Sequence, residues 1–571
     1  MAERLRKIID AACAREKAQL VLKNCKIVCV FTGEIFEGDI AIEDGVIAGI
    51  GSYEGIDEID FQGMYAAPGL IDSHVHIESS MLTPSGFATA VVPCGTTAVI
   101  ADPHEIANVC GAEGVRYMLE DGKNAPLDIY IMAPSCVPAT SFEDSGAVLG
   151  SRELLEIAGY ENILGLGEVM DFPAVTCADE EMLRKLELFK CKVIDGHSPG
   201  LSGSALNAYI AAGVRTDHEC SSADEMKERL RLGMYVHIRE GSAARNLGVL
   251  IKGVNPGNIS RCTFCTDDKH PHELLGEGHI DSIMRKAVAT GFNAVDAIRM
   301  ATINAAQCYG LKNAGAIAPG FKADIVAFAD LKDFRAHMVF KEGRLVAKAG
   351  KALFEARSSI DESIKGRMNV ADFSEADIQI GLESEHVKVI RVIPNSLITE
   401  TAVRDIELEE GCFKFTGESG ILKLAVLERH KGSGMIGLGL VENFGLKNAA
   451  IGSTVAHDSH NLIVIGDSDK DIMAAAKELI RCEGGITVFS AGRVLKTLPL
   501  PVAGLMSDRG IHEVAADLAE MLRICREHGV AEGMDPFMTL SFLSLPVIPE
   551  LKLTARGLFD VSRFEFTSVE D

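Results

Sequence analysis

Between Tyr65 and His270 the chain repeats one pattern: a short apolar run ending on polar residues, then a stretch whose apolar positions recur every three or four. The runs are YAAPGLIDSHVH, TTAVIADPHE, DIYIMAPSCVPA, ILGLGEVMD, KVIDGHSPG, VRTDHECSS, YVHIREGS and RCTFCTDDKH. Unbroken apolar runs of this length read as strands buried on both faces. The intervening DEEMLRKLELFK, SGSALNAYIAAG and ADEMKERLRLG carry the helical period. Eight parallel strands joined by helices in about 250 residues predict an α/β fold, a closed (β/α)8 TIM barrel over residues 68–314. An open doubly wound sheet is the rival, but no G-x-G-x-x-G follows the first strand.

The flanks have a different rhythm. Residues 19–51, QLVLKNCKIVCVFTGEIFEGDIAIEDGVIAGIG, are short β-rich runs broken by Thr-Gly, Glu-Gly and Asp-Gly turns, and the style returns after Gly315 in GAIAPGFKADIVAFADLKDFRAHMVFKEG. This predicts one small β-sandwich built from both sides of the barrel, with residues 1–67 as its first part and 315–379 as its return plus a charged linker, FEARSSIDESIKGRMNVADFSEADIQ. Residues 380–571 read as a C-terminal α+β domain without barrel rhythm. The opening MAERLRKIIDAACAREKAQLVLKN mixes charges throughout, as an amphipathic helix does and a signal peptide does not.

Composition narrows the partners. Of 571 residues, 47% are hydrophobic and 24% charged, so the chain can bury large cores. Lys+Arg 56 against Asp+Glu 82 gives a net charge of −26, which repels nucleic acid and anionic membranes alike. No run reaches the roughly 18 apolar residues of a membrane span. The 15 cysteines are too dilute for a disulfide scaffold and point to a reducing cytoplasm.

Polar residues fall at the same end of the predicted strands: His74 and His76 on the first, Glu168 on the fourth, His197 on the fifth, His218 on the sixth and Asp267 on the eighth. In a barrel that rim is where side chains from different strands converge. His74 and His76, two apart on a strand, point to one side and can share a metal ion. A lone H-x-H is weak evidence, since single histidines are more often hydrogen-bonded core residues. Four histidines and two acids exceed what one four-coordinate ion needs, so two metals are implied, with Glu168 placed to bridge them. Two other signals mislead. His76-Ile77-Glu78 and Cys262-x-x-Cys265 mimic a zinc deaminase signature, yet Arg261 stands where that signature has proline, and 186 positions separate His76 from Cys262. The two cysteines are expected to pack inside the eighth strand.

PGLIDSHVH after a small β unit, the histidines of strands five and six, the closing Asp and the returning GAIAPGFKADIVAF together resemble the amidohydrolase superfamily. HVHIESSMLTP, ADPHEIANV, GLGEVMD, DGHSPGLSG, TDHECSS and CTDDKHP resemble its bacterial and archaeal adenine deaminase family over essentially the whole chain. The resemblance implies His74, His76, Glu168, His197, His218 and Asp267 as ligands of two divalent ions, Mn2+ or Fe2+ foremost and Zn2+ third, with Asp267 preferred over the adjacent Asp268. It implies adenine as substrate, attacked at C6 by metal-activated hydroxide to give hypoxanthine and ammonia in purine salvage. Proton movement needs a carboxylate within reach of both water and leaving amine, and Asp267 is the candidate. Glu78, His104, Ser135, Arg239 and Glu240 are candidates for reading the purine edge, with an Arg239–Glu240 rim ion pair as the plain alternative. Hydrolysis of a cyclic amide or N-acyl group, and a non-catalytic metal- or purine-binding protein, are the competing functions. His457, Asp458 and His460 in STVAHDSHNLIVIG read as a third metal site, a lid over the pocket, or a polar turn. A homodimer or higher homo-oligomer is expected.

Overall fold

The computed structural model describes residues 2–356, 358, 360–394, 396–416 and 419–571, and each of the eight runs contains a barrel strand. Leu70–His76, Thr96–Ala101, Asp128–Ala133, Ile163–Val169 and Val193–Gly196 pair in order and in parallel. Thr216–Asp217, Tyr235–Arg239 and Cys262–Cys265 form the rest of the wall. Past Thr266 the eighth strand resumes as Asp267–Asp268, which pairs with the first: Asp267 lies opposite Val75 and Asp268 opposite His76. The other seam, between the fifth and sixth strands, is held by the Arg215 N–H donating to the Ile194 carbonyl at 2.9 Å. Cys262 and Cys265 are buried in the eighth strand.

The helices start where the sequence caps them. Asp179 accepts the N–H groups of Glu181 and Met182 at the head of Glu180–Leu188, and Ser222 accepts that of Glu225 at the head of Ala223–Arg231. Each buries one stripe, Met182, Lys185 and Leu186 in the first and Met226 and Arg229 in the second.

The first apolar run divides between two sheets. Tyr65–Pro68 pairs with Ala18–Val28 and Ile325–Phe328 in the flanking sheet, and the barrel strand begins at Leu70. Gly69 is the crossing point: a Cβ there would lie 2.1 Å from Thr97 Oγ1, so only glycine passes. Five strands before the barrel and four after it make one continuous nine-stranded sheet, whose two ends share a core of Leu22, Ile42, Phe61, Ile325 and Phe340 among others. The helix expected at the start of the chain spans Ala2–Ala12.

Arg357 and Ser359 of the expected linker lie outside the described residues. Beyond it an eight-stranded mixed sheet forms, and alternation along Leu422–Leu427 shows its two faces. Ala425 and Leu427 pack under the helix Asp469–Arg481, whereas Leu424 and Val426 join the core shared with the barrel and with helices Ile511–Glu527 and Pro536–Phe542. The C-terminal domain therefore lies on the barrel. Among the described residues no helix is long and apolar enough to cross a membrane.

Candidate metal centre

His74 and His76 enter the barrel mouth side by side, their Nε2 atoms 3.2 Å apart. Glu168, at the end of the fourth strand, comes between them: Oε1 lies 2.7 Å from His74 Nε2 and 2.9 Å from His76 Nε2. Asp267 Oδ1 lies 3.0 Å from His76 Nε2 and 3.5 Å from His74 Nε2. The second Glu168 oxygen turns the other way, 3.0 Å from His197 Nδ1 and 4.0 Å from His218 Nε2. Two donor sets thus share one carboxylate: His74, His76, Glu168 and Asp267, and Glu168, His197 and His218. His197 and His218 each follow their strand by one residue.

These donors suit cations better than they suit each other. Glu168 Oε1 accepts no well-directed hydrogen bond although two imidazole nitrogens crowd it, and His197 Nδ1 has no hydrogen-bond partner either. Unpaired polar atoms at such depth are costly unless something coordinates them. Burial opposes charge on His74, but Glu168 and Asp267 outweigh it and lift the imidazole to about 10; His76 is lifted well above its ordinary value in the same way. Burial would lift Glu168, yet His74 and His76 hold it well below the usual carboxylate range. A site that selects positive charge this strongly, with imidazole and carboxylate donors, fits divalent Zn, Fe or Mn.

Groups behind the donors hold their orientation. His76 Nδ1 donates to the Asp102 carbonyl at 2.8 Å, so that in the neutral ring the lone pair sits on Nε2 and faces the centre. Asp102 Oδ2 accepts the Glu168 N–H at 2.9 Å, and Ser135 donates to the Glu168 carbonyl at 2.5 Å. The Tyr209 hydroxyl accepts the His197 N–H at 3.0 Å and donates to the Val169 carbonyl at 2.6 Å. Asp72 accepts from the Thr266 backbone at 3.1 Å and from its hydroxyl at 2.5 Å, fixing the turn that presents Asp267. Asp267 has a φ of 59°, a left-handed backbone that costs a residue with a Cβ roughly 1–2 kcal/mol.

The other expected residues separate into two groups. Arg239, His104 and Glu78 border the centre. Arg239 Nη1 donates to Asp267 Oδ2 at 2.8 Å and its guanidinium also forks onto Glu219. The His104 ring stands edge-on to His76 with centroids 4.6 Å apart. Glu78 accepts the Ile106 N–H at 3.2 Å through one oxygen while the other, Oε2, is buried without a partner, and burial raises its carboxyl above the ordinary value. Ser135 and Glu240 do not turn to the centre. The Ser135 hydroxyl is spent on the Glu168 backbone. Glu240 takes Lys286 at 3.1 Å, which also holds Glu277, so the expected Arg239–Glu240 pair is replaced by two separate ones.

Two acids escaped the strand-end pattern. Glu219 Oε1 lies 3.5 Å from His218 Nε2 and 3.7 Å from His197 Nδ1, and its only sequence signal is adjacency to His218 in TDHECSS. Glu105, next to His104 in DPHE, accepts from Ser79 at 3.2 Å. The same Ser79 hydroxyl reaches Asp268 at 2.5 Å, which turns Asp268 away from the His74–His76 pair and leaves Asp267 there. His457, Asp458 and His460 are buried where the C-terminal domain meets the barrel mouth. His460 Nδ1 accepts the Ala456 N–H at 3.2 Å while its buried Nε2 has no partner, and Glu105, His457 and His460 bring three metal-ligating groups together there.

The model of the amidohydrolase family matches residues 65–346, and that of the adenine deaminase C-terminal domain matches residues 396–565. The adenine deaminase of Clostridium acetobutylicum is 51% identical over 562 residues, 98% of this chain and 99% of that one. Adenine deaminase 2 of Carboxydothermus hydrogenoformans is 51% identical over 565 residues, 99% of each chain. A solved β-aspartyl dipeptidase of Fervidobacterium islandicum AW-1 aligns over 60% of this chain and 99% of its own at 16% identity, with a TM-score of 0.46.

Proposed function

This chain belongs to the adenine deaminase family of the amidohydrolases, and from that premise we propose how its residues carry the reaction. It is a hydrolase of C–N bonds that converts adenine to hypoxanthine and ammonia. The observation that carries the assignment of its site is the pair of donor sets joined through Glu168.

In our reading His74, His76 and Asp267 would hold one divalent ion, His197 and His218 would hold a second, and Glu168 would contribute an oxygen to each. Mn2+ or Fe2+ is our choice of resident ions and Zn2+ the alternative; imidazole and carboxylate donors accept all three, and metal availability rather than affinity decides among them. When bound, such a pair supplies Lewis acidity and brings the pKa of water down towards neutrality. The protein residues do the rest. Asp267 is placed to take the proton that water must lose and to pass one to the departing amine, because a single carboxylate within hydrogen-bond reach can serve both steps. Arg239 keeps that carboxylate ionised: burial would raise Asp267, but the guanidinium beside it and the two histidines hold it well below its usual range. His104 and Glu78, at the edge of the centre, contact the purine. Glu78 is suited to donate to a ring nitrogen, because its raised carboxyl retains a proton more readily than an ordinary one.

The working unit comprises barrel residues 68–314, the flanking sheet contributed by 1–67 and 315–379, and the C-terminal domain from residue 380. All fifteen cysteines are unpaired, which supports a cytoplasmic setting, and a homodimer is the smallest assembly this reading expects. The test is an assay of purified, Mn2+-loaded protein with adenine, adenosine, cytosine and dihydroorotate. Ammonia release from adenine alone is expected, and hydrolysis of dihydroorotate in preference to adenine would contradict the reading.

A further inference from the structure

Two neighbouring residues of the barrel meet two neighbouring residues of the C-terminal domain. His104 and Glu105 open the helix His104–Cys110, directly after the second barrel strand, while His457 and Asp458 sit on the loop between Ala450–Ser453 and Leu462–Gly466. They face each other crosswise, acid to imidazole: Asp458 Oδ1 lies 4.0 Å from His104 Nε2, and His457 Nδ1 lies 3.5 Å from Glu105 Oε1. All four residues are buried. Asp102 stands on the opposite side of the His104 ring, its Oδ1 3.7 Å from Nδ1, so one imidazole next to the metal donors is flanked by carboxylates from two domains.

The loop is built to hold that position. Ser459 donates to Glu143 at 2.7 Å, and Asn461 donates to the Asp144 carbonyl at 2.9 Å, both in the segment after the third barrel strand. Arg556 closes on the Asp144 carboxylate at 2.7 and 3.0 Å. From behind, the buried Arg429 donates to the His460 carbonyl, and His430 donates to the Ser459 carbonyl at 2.7 Å. The His457 ring stacks on Phe542 with centroids 4.4 Å apart. A loop that only joined two strands would need none of these contacts with the barrel. Distances of 3.5 to 4.0 Å between a carboxyl and an imidazole are those at which a water or a small shift completes a hydrogen bond on substrate binding.

We propose that the C-terminal domain completes the active site, with Asp458 and His457 acting as positioning residues for His104 and Glu105. The proposal rests on the reading above that His104 faces the purine. The geometry assigns Asp458 to restrict the His104 ring between two acids, so that a correctly aimed nitrogen is present when adenine arrives. It also explains why the domain is attached: the barrel alone presents His104 with one of its two supports.

The test compares Mn2+-loaded Asp458→Asn, Asp458→Glu, His104→Asn and the Asp458→Asn/His104→Asn pair with the parent, each with its metal content and thermal midpoint measured. Asp458→Asn is expected to lower kcat about tenfold or more, the scale of a misaimed catalytic group, with KM, metal content and midpoint little changed. Asp458→Glu should recover part of the loss, and the double variant should be no worse than His104→Asn alone. Retention of kcat by Asp458→Asn while His104→Asn is inactive overturns the proposal and leaves the reading of His104 standing. A fully active His104→Asn overturns that reading itself. Losses that multiply in the double variant, or a loss that tracks metal content or midpoint, also overturn the proposal. Should Asp458→Asn not fold, His457→Gln measured against Glu105→Gln reads the second contact by the same criteria.

Discussion

Asp267 divides its carboxylate between two partners: Oδ2 accepts from Arg239 Nη1 at 2.8 Å while Oδ1 faces His76 Nε2 at 3.0 Å. One oxygen is therefore fixed by a guanidinium, and the other faces the histidines of the centre. An amide at this position keeps a ligating oxygen but cannot take a proton. Asp267→Asn should therefore retain its metal by elemental analysis and lose turnover by about 10²–10⁴-fold, the range of a lost general base. Near-parental kcat would remove Asp267 from the proton step.

Arg239 serves two acids at once, the partly buried Glu219 and the buried Asp267. Removing it leaves both carboxylates without their cation, at a cost on the order of 3–5 kcal/mol. Arg239→Met should lower the thermal midpoint and the activity together. Arg239→Lys should recover only part of each, because an ammonium cannot reproduce the fork that holds Glu219 while reaching Asp267. Equal recovery by Lys would mean that charge alone is needed there.

Metal uptake should be coupled to proton release. In the metal-free protein burial disfavours a charged His74, but Glu168 and Asp267 hold the ring at about 10, so at neutral pH it carries a proton that an incoming ion must displace. Mn2+ affinity should rise with pH up to about 10 and fall in acid. Titration calorimetry in buffers of different ionisation enthalpy measures the protons released. A binding enthalpy independent of buffer would contradict this charge distribution.

The interface between barrel and C-terminal domain should loosen as pH rises. Burial, reinforced by Asp458, lifts the Glu143 carboxyl to about 8 while it accepts the Ser459 hydroxyl at 2.7 Å. A carboxyl raised in the folded state lends stability that is fully present below its unfolded value and is lost as pH rises through the folded one. The thermal midpoint should decline between about pH 5 and 8, and Glu143→Gln should flatten that decline. Parallel pH profiles for the two proteins would place the dependence elsewhere.

The convergence of these six side chains was legible because a barrel converts position along each strand into position around one rim, so residues far apart in sequence can be read as neighbours once the strands are counted. What the sequence hid were choices between side chains. Arg239 takes Glu219 and Asp267 and leaves Glu240 to Lys286, a matter of rotamer and reach that spacing does not encode. Ser135 was visible at a strand end, but whether its hydroxyl met purine or backbone depended on the turn at Glu168. The division at Gly69 was masked because the residues on both sides are equally apolar. The contact of His457 and Asp458 with Glu105 and His104 joins positions some 350 residues apart, and no local pattern reports it.

We propose that Glu168 joins two cation sites at the mouth of a barrel that deaminates adenine. The most direct measurement strips the protein of metal, restores Mn2+ in steps, and follows hypoxanthine formation from adenine against metal bound per chain. No turnover is expected without metal, and a plateau is expected at two ions per chain. Full turnover by metal-free protein, or a plateau at one ion, would contradict it.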